Sequence, residues 1–342
     1  MTHHVLFHRC CHWFNSKEID MLNRRTFTVY SATAAVGAPA LAQSDPLRIV
    51  VGFPAGGIVD IIARELGEAM KPHLGGRAVV VEAKPGAGGR IGVATVKTAA
   101  PDGNTVLLTP SSIMTLYPHV FNKLGYDTLK DLTPVSTVCM SANALAVGMH
   151  VPVKTLGEFI AWCKANPKEA SYASPGAGSA PHFLGAQIAS AAGIEMLHVP
   201  YKGAPDILND LYGGRISSFV TALSNAVQPH MGGKMRVLVT TSPKRSSVLP
   251  DVQTAAEAGY PQLSGMEWFG LLAPAGTSPE RVAVLNSAVS KAIASDRIKE
   301  AFGKLIMEPS SSSPTEFARM IKADIDRWGA TAKRLNYQPV DA

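Results

Sequence analysis

The chain reads as an α/β protein in which mainly parallel strands alternate with helices, arranged as two domains around a cleft. Three observations predict this. Short apolar runs of strand length alternate with stretches of helical spacing along the 342 residues. Three glycine-rich turns each follow an apolar run and precede a helix, at Gly52–Asp60, Lys84–Arg90 and Ser174–Ser179. The chain closes in a helical tail with no strands of its own, which must pack on a sheet built earlier.

Taken in order, Ile49–Phe53 is a buried strand, and Ile58, Ile61, Ile62, Leu66, Ala69 and Met70 recur at helical spacing behind it. Ala78–Glu82 is the second strand and Ile91–Ala99 a helix. The turn Pro101-Asp102-Gly103 leads to the strand Thr105–Thr109. Leu145–Val147 leads into a second unit, where Thr155 and Glu158 form a capping box for a helix ending before Pro167. Strand Ser171–Ala173, the third glycine turn, a helix over Pro181–Ala192 and strand Met196–Val199 follow. Pro205–Tyr212 is a helix, and Ile216–Val220 and Val237–Thr241 are strands. Ser278-Pro279-Glu280 and Ser313-Pro314-Thr315-Glu316 start two amphipathic helices, the last reaching about Leu335. The tail is expected to return to the first unit, with crossovers near 140–147 and 264–270. This gives residues 1–42 as an upstream extension and signal peptide, 43–142 with 268–342 as domain 1, and 143–267 as domain 2.

The extreme N-terminal region reads as a targeting segment. Arg24 and Arg25 form a basic start, Phe27–Leu41 is mildly apolar, and Ala40-Leu41-Ala42 fits a cleavage site before Gln43. The paired arginines with Phe27 suit a twin-arginine signal, and Sec export is the alternative. His3, His4, His8, His12, Cys10 and Cys11 upstream admit a metal-binding reading; the rival is that translation starts at Met21.

Without residues 1–42 the chain has 28 basic and 24 acidic residues, a net charge of +4. That mild excess, with no dense basic block, argues against nucleic-acid binding. Cys139 and Cys163 lack the spacing of a metal site, and spacing leaves open whether they pair. No cofactor is indicated. The second glycine turn lacks the third glycine of a dinucleotide fingerprint, Ile91 standing there, and no GK[ST] follows any glycine run.

The glycine turns point to a small anion held by main-chain N–H groups at helix starts, with Gly56, Gly86, Gly88, Gly176 and Gly178 allowing close approach. Asp60, in a first helical turn, complements the helix dipole or contacts a ligand. Ser179 and His182 either cap and open a helix, face a ligand, or form part of a hydrolase site that has no local acid. Lys202 is a solvated charge or a partner for an acidic ligand. Trp268 and Phe269 read as core or hinge packing.

Phe53-Pro54-Ala55-Gly56-Gly57 with Asp60, Lys84–Gly89 with Ile91-Gly92, Ala100–Gly103, His198–Gly203, Leu249–Val252 with Glu257-Ala258-Gly259, and Trp268–Gly276 stand in an order that resembles the Bug-type periplasmic substrate-binding proteins of tripartite tricarboxylate transporters. The resemblance covers residues 46–340. It implies a type II periplasmic-binding-protein fold, two α/β domains joined by two crossover strands, closing on a small organic acid whose carboxylate is held by backbone N–H groups and waters. Carried over by position, the ligand-binding residues are Pro54, Ala55, Gly56, Gly57, Asp60, Ser111 and Ser112 in the first domain. In the second they are Ser174, Gly176, Gly178, Ser179, His182, Tyr201 and Lys202. The chain departs from the family at Thr221-Ala222, where relatives often carry Asp-Asn, and at Arg90, where they often carry Asn. The expectation is a monomeric, non-enzymatic periplasmic receptor that delivers its ligand to large and small transmembrane permease subunits. An orphan receptor feeding a sensor and an exported hydrolase using Ser179 and His182 are the alternatives.

Overall fold

The computed structural model describes residues 45–201 and 204–341; the signal segment, the upstream histidines and cysteines, and Lys202 lie outside the described residues. The first part runs β1 (Leu47–Val51), α1 (Ile58–Met70), β2 (Val79–Ala83), α2 (Arg90–Lys97) and β3 (Thr105–Pro110). Three short helices follow: α3 (Ser111–Thr115), α4 (Tyr117–Val120) and α5 (Thr128–Asp131). The long strand β4 (Leu132–Gly148) leads to α6 (Leu156–Ala165), β5 (Ser171–Ser174), α7 (Ala180–Ala192), β6 (Leu197–Pro200) and α8 (Ala204–Tyr212). Then come β7 (Ser218–Ala222), α9 (Leu223–Met231), β8 (Met235–Thr240) and β9 (Gln253–Thr254). The return consists of β10 (Met266–Pro274), α10 (Pro279–Ala294), α11 (Asp296–Lys304), β11 (Glu308–Pro309) and α12 (Pro314–Arg334).

The strands are ordered β2-β1-β3-β10-β4-β7-β5-β6, with β8 and β11 on β4 and β9 on β8. β1 pairs in parallel with β2 and β3, and β5 in parallel with β6 and β7. The middle is antiparallel, against the mainly parallel expectation: β10 runs against β3 and β4, and β4 runs against β7, β8 and β11. The reason is that β4 and β10 are long connecting strands rather than members of βαβ units. β4 pairs with β10 from Leu132 to Ala142, then with β7 from Asn143 to Val147 and with β8 from Ala144 to Gly148.

Each part of the sheet is covered on both faces. On one face of the β1–β3 part, α1 buries Val59, Ile62, Ala63, Leu66 and Met70 at helical spacing, against Leu285, Val289 and Ile293 of α10 and Ile298 and Phe302 of α11. The other face carries Val93, Val96, Ile113, Trp268 and, from α12, Phe317, Ile321 and Trp328. α12 therefore packs on the first part of the sheet. It is opened by a full capping box between Ser313 and Glu316 and tied down by Trp268 Nε1 donating to Asp324 at 2.8 Å. The tail is not free of strands, since Glu308 and Pro309 pair with Met140 and Cys139. Cys139 and Cys163 are both free and buried in separate cores, and burial pushes the Cys163 thiol up to about 11. Among the described residues no helix is long and apolar enough to cross a membrane.

Candidate functional site

The first two glycine turns abut. A Cβ at Gly52 would lie 2.5 Å from the carbonyl oxygen of Gly89, and one at Gly92 would lie 2.8 Å from the Gly52 Cα. Only glycine lets these backbones meet. Within the first turn, Pro54, Ala55 and Gly56 are exposed and Gly57 is half-buried. Two of its N–H groups are already used: Gly57 donates to the Pro54 carbonyl at 3.2 Å, and Gly56 donates to Asp60 at 2.9 Å. Asp60 is 2 % exposed and also takes both arms of Arg64, at 2.8 and 3.0 Å. The Arg64 guanidinium holds its carboxyl below the usual range, against the opposing pull of burial. Asp60 therefore fixes the turn in addition to facing the helix start. Among the described residues the Ala55 N–H and the first N–H groups of α1 have no backbone acceptor.

The second turn is held from behind. The Tyr117 hydroxyl donates to the Gly88 carbonyl at 3.1 Å, Gly89 donates to the Gly86 carbonyl at 2.9 Å, and the N–H groups of Ala87 and Gly88 remain without a backbone acceptor among the described residues. Gly86, Ala87 and Gly88 are exposed. Ser111 and Ser112 are buried at the start of α3. Both face Glu267, whose carboxyl burial pushes upward while hydrogen bonds from Ser112 and Ser111 act the other way.

In the third turn Ser174 is fully buried, donating to the Gly176 carbonyl at 3.0 Å and meeting His198 Nε2 at 2.8 Å. Ser179 caps α7: its hydroxyl donates to the Gly176 carbonyl at 2.7 Å and accepts the His182 N–H at 3.3 Å. The Gly178 N–H donates to His182 Nδ1 at 3.0 Å, which leaves the ring proton on Nε2. The imidazole of His182 thus serves the turn and does not contact the Ser179 hydroxyl, so the two do not form a nucleophile–base pair. Gly176 and Ala177 keep N–H groups without a backbone acceptor among the described residues. Tyr201 is anchored elsewhere, its hydroxyl donating to Asp210 at 2.7 Å while its N–H donates to the Ser174 carbonyl at 3.0 Å.

The third turn meets the first part of the chain at α4. A Cβ on Gly178 would lie 3.3 Å from Val120 Cγ2 and 3.9 Å from Phe121 Cζ, and the Arg90 guanidinium lies 4.2 Å over the Phe121 ring. Two polar residues escaped the sequence reading. Asn143 and Glu267 line a cavity of about 40 Å³ together with Ser111, Thr241 and Ser264. Asn143 Oδ1 and Ser264 Oγ have no partner there, and the space suits water rather than an organic acid. The available signal was a polar residue inside each crossover strand.

Residues 62–337 match the family described as tripartite tricarboxylate transporter family receptor. The chain belongs to that family. It is 33 % identical to Protein BugT of Bordetella pertussis over 311 residues, 89 % of this chain and 94 % of the relative. The structure of the periplasmic binding protein BugD superposes with a TM-score of 0.77 at 31 % identity, covering 86 % of this chain and 99 % of that one. The structure of R. palustris Rpa4515 with adipate superposes with a TM-score of 0.79 at 30 % identity, covering 86 % and 98 %. The fold is thus that of periplasmic binding proteins of the Bug type. As a family receptor the chain is a periplasmic solute-binding protein. The two glycine turns that carried the resemblance follow β1 and β2, and the third glycine turn follows β5.

Proposed function

We propose that this receptor binds a small organic acid between its glycine turns and hands it to the large and small subunits of a membrane permease. The observation that carries the reading is the set of unpartnered N–H groups at Ala55, Ala87, Gly88, Gly176 and Ala177, on turns that follow three different strands. Such donors at helix starts hold a carboxylate without a fixed cation. The relative with adipate supports the ligand class. In this reading residues 43–142 with 268–342 and residues 143–267 are two lobes, Lys202 adds a charge beside Tyr201, and the protein acts as a monomer without metal or cofactor. A signal over residues 21–42, twin-arginine or Sec, carries it to the periplasm; mass spectrometry of the exported protein should find an N-terminus at or beside Gln43.

Thermal-shift screening of the purified protein against mono-, di- and tricarboxylates tests the reading. A binder present at about 100 Kd adds about 2.7 kcal/mol of stability. At least one carboxylate should raise the melting temperature in proportion to the logarithm of its concentration. No shift across the panel, or turnover of generic esters that is lost in Ser179→Ala, would reject the reading in favour of another ligand class or of hydrolysis.

A further inference from the structure

Arg90 opens α2 directly behind the second glycine turn. Its Nη1 is buried and has no hydrogen-bond partner. Among the described residues it forms no ion pair, like Arg77, Arg236, Arg281, Arg319 and Arg334 and unlike Arg48, Arg64, Arg215, Arg245, Arg297 and Arg327; what sets it apart is the buried Nη1 without a partner. The residue as a whole is half-buried, so one nitrogen of the guanidinium fork stands out of water without an acceptor, which carries a desolvation cost. Among the described residues no carboxylate lies within ion-pair distance of it, although the Tyr117 phenol senses both Arg90 and Glu267. Tyr117 and Tyr126 sense the Arg90 charge, but burial drives both phenols upward and keeps them neutral. Their hydroxyls donate to the carbonyls of Gly88 and Ile113. Arg90 lies over Phe121, the same ring that approaches Gly178 of the third turn. The unpaired guanidinium therefore sits beside Phe121, on the seam between the second and third glycine turns.

We propose that Arg90 is a specificity-determining residue of this receptor, its guanidinium taking a carboxylate of the bound acid. This rests on the organic-acid reading above and adds a side-chain contact to the backbone donors. The planar fork suits two carboxylate oxygens, and stacking on Phe121 holds it in orientation before the ligand arrives. A ligand ionised at that position is favoured over its neutral amide.

Calorimetry and thermal melts on wild type, Arg90→Gln and Arg90→Lys, with succinate, malate, adipate, citrate and benzoate at low and high salt, test this. The diamide of the best acid serves as the neutral probe. In Arg90→Gln the best acid should bind at least tenfold more weakly and lose most of its salt dependence. The ligand-free melting temperature should hold or rise, because a buried guanidinium nitrogen without a partner has gone. Arg90→Lys keeps the charge without the fork and should fall between the two, so the test stands even if the glutamine variant folds poorly. Affinity for the acid unchanged within twofold in either variant, or a lower ligand-free melting temperature with an unchanged ligand increment, would make Arg90 a packing residue and overturn the inference while leaving the carboxylate reading intact. No binding of any acid to wild type would overturn both.

Discussion

The imidazole rings of His182 and His198 lie stacked, 3.8 Å between centroids and 12° from parallel. Each supports the third glycine turn, His182 through the Gly178 N–H and His198 through the Ser174 hydroxyl. Burial lowers both to about 4, and the charge of His198 adds to the effect at His182. A second proton between stacked rings would meet both desolvation and repulsion.

Stability should therefore depend on pH above the range where carboxylates titrate. The unfolded chain protonates both rings near pH 6.5, while the folded chain resists until about pH 4. Between those values the unfolded state binds more protons, so stability is full above the unfolded value and falls as pH drops toward 4. His230, also lowered by burial, acts with the same sign. Urea melts at pH 7, 6 and 5 should show a progressive loss, and His198→Gln should flatten the slope. A wild-type profile level from pH 7 to 5 contradicts this account.

Gly52 and Gly56 should respond differently to alanine. At Gly52 a Cβ meets the Gly89 backbone at 2.5 Å, where nothing flexible can yield, so Gly52→Ala should destabilise by about 1–3 kcal/mol. At Gly56 the space is open but φ is +80°, so Gly56→Ala should lose only about 1 kcal/mol, from backbone conformation. Chemical denaturation of both variants decides the order, and equal losses would contradict the close-approach argument.

Tyr117 gives a way to loosen the second turn without touching it. Tyr117→Phe removes the donor to the Gly88 carbonyl and should lower stability by about 1 kcal/mol. Gly88→Val places a Cβ 2.8 Å from the Tyr117 hydroxyl at φ +62°. It should weaken binding of a confirmed acid by about 1–3 kcal/mol if one charge-assisted bond is lost. Calorimetry showing full affinity in a folded Gly88→Val protein would remove this turn from the site.

Ligand should also draw the two sheet parts together. β4 changes partners between Ala142 and Asn143, and Gly265 precedes β10, so bending at these points moves the third turn against the first two. A ligand that touches both sides favours the closed arrangement. Small-angle scattering should give a smaller radius of gyration with a saturating acid, and an unchanged radius would indicate a rigid pocket.

Strands and caps with local signals were readable from sequence. β1 and β3 are short, mostly apolar runs followed by glycine or serine, β5 is marked by the glycine turn behind it, and Ser313 with Glu316 forms the box its spacing announces. At Thr155 only half the box forms, because Glu158 reaches the Lys154 N–H instead. The full length of β4 was hidden, since Pro134, Ser136, Thr137 and Asn143 break its apolar pattern. The polar groups of Ser136 and Thr137 are met by Ser312, a partner no local window contains. α9 was masked by Pro229 within it. The glycine turns were legible as places, but not which of their N–H groups stay open. That depends on Asp60 and His182 folding back on their own turns.

The position of β10 constrains the order in which this chain can assemble. It lies between β3 and β4 in the sheet, yet begins only at Met266. Until it arrives, β3 and β4 have no common neighbour, and each presents an unpaired backbone edge to solvent or to another chain. Closing so distant a gap in sequence is slow. A growing or truncated polypeptide that stops short of β10 holds adhesive strands without a finished sheet. Its survival then depends on being kept from its own kind until the last quarter of the message has been read.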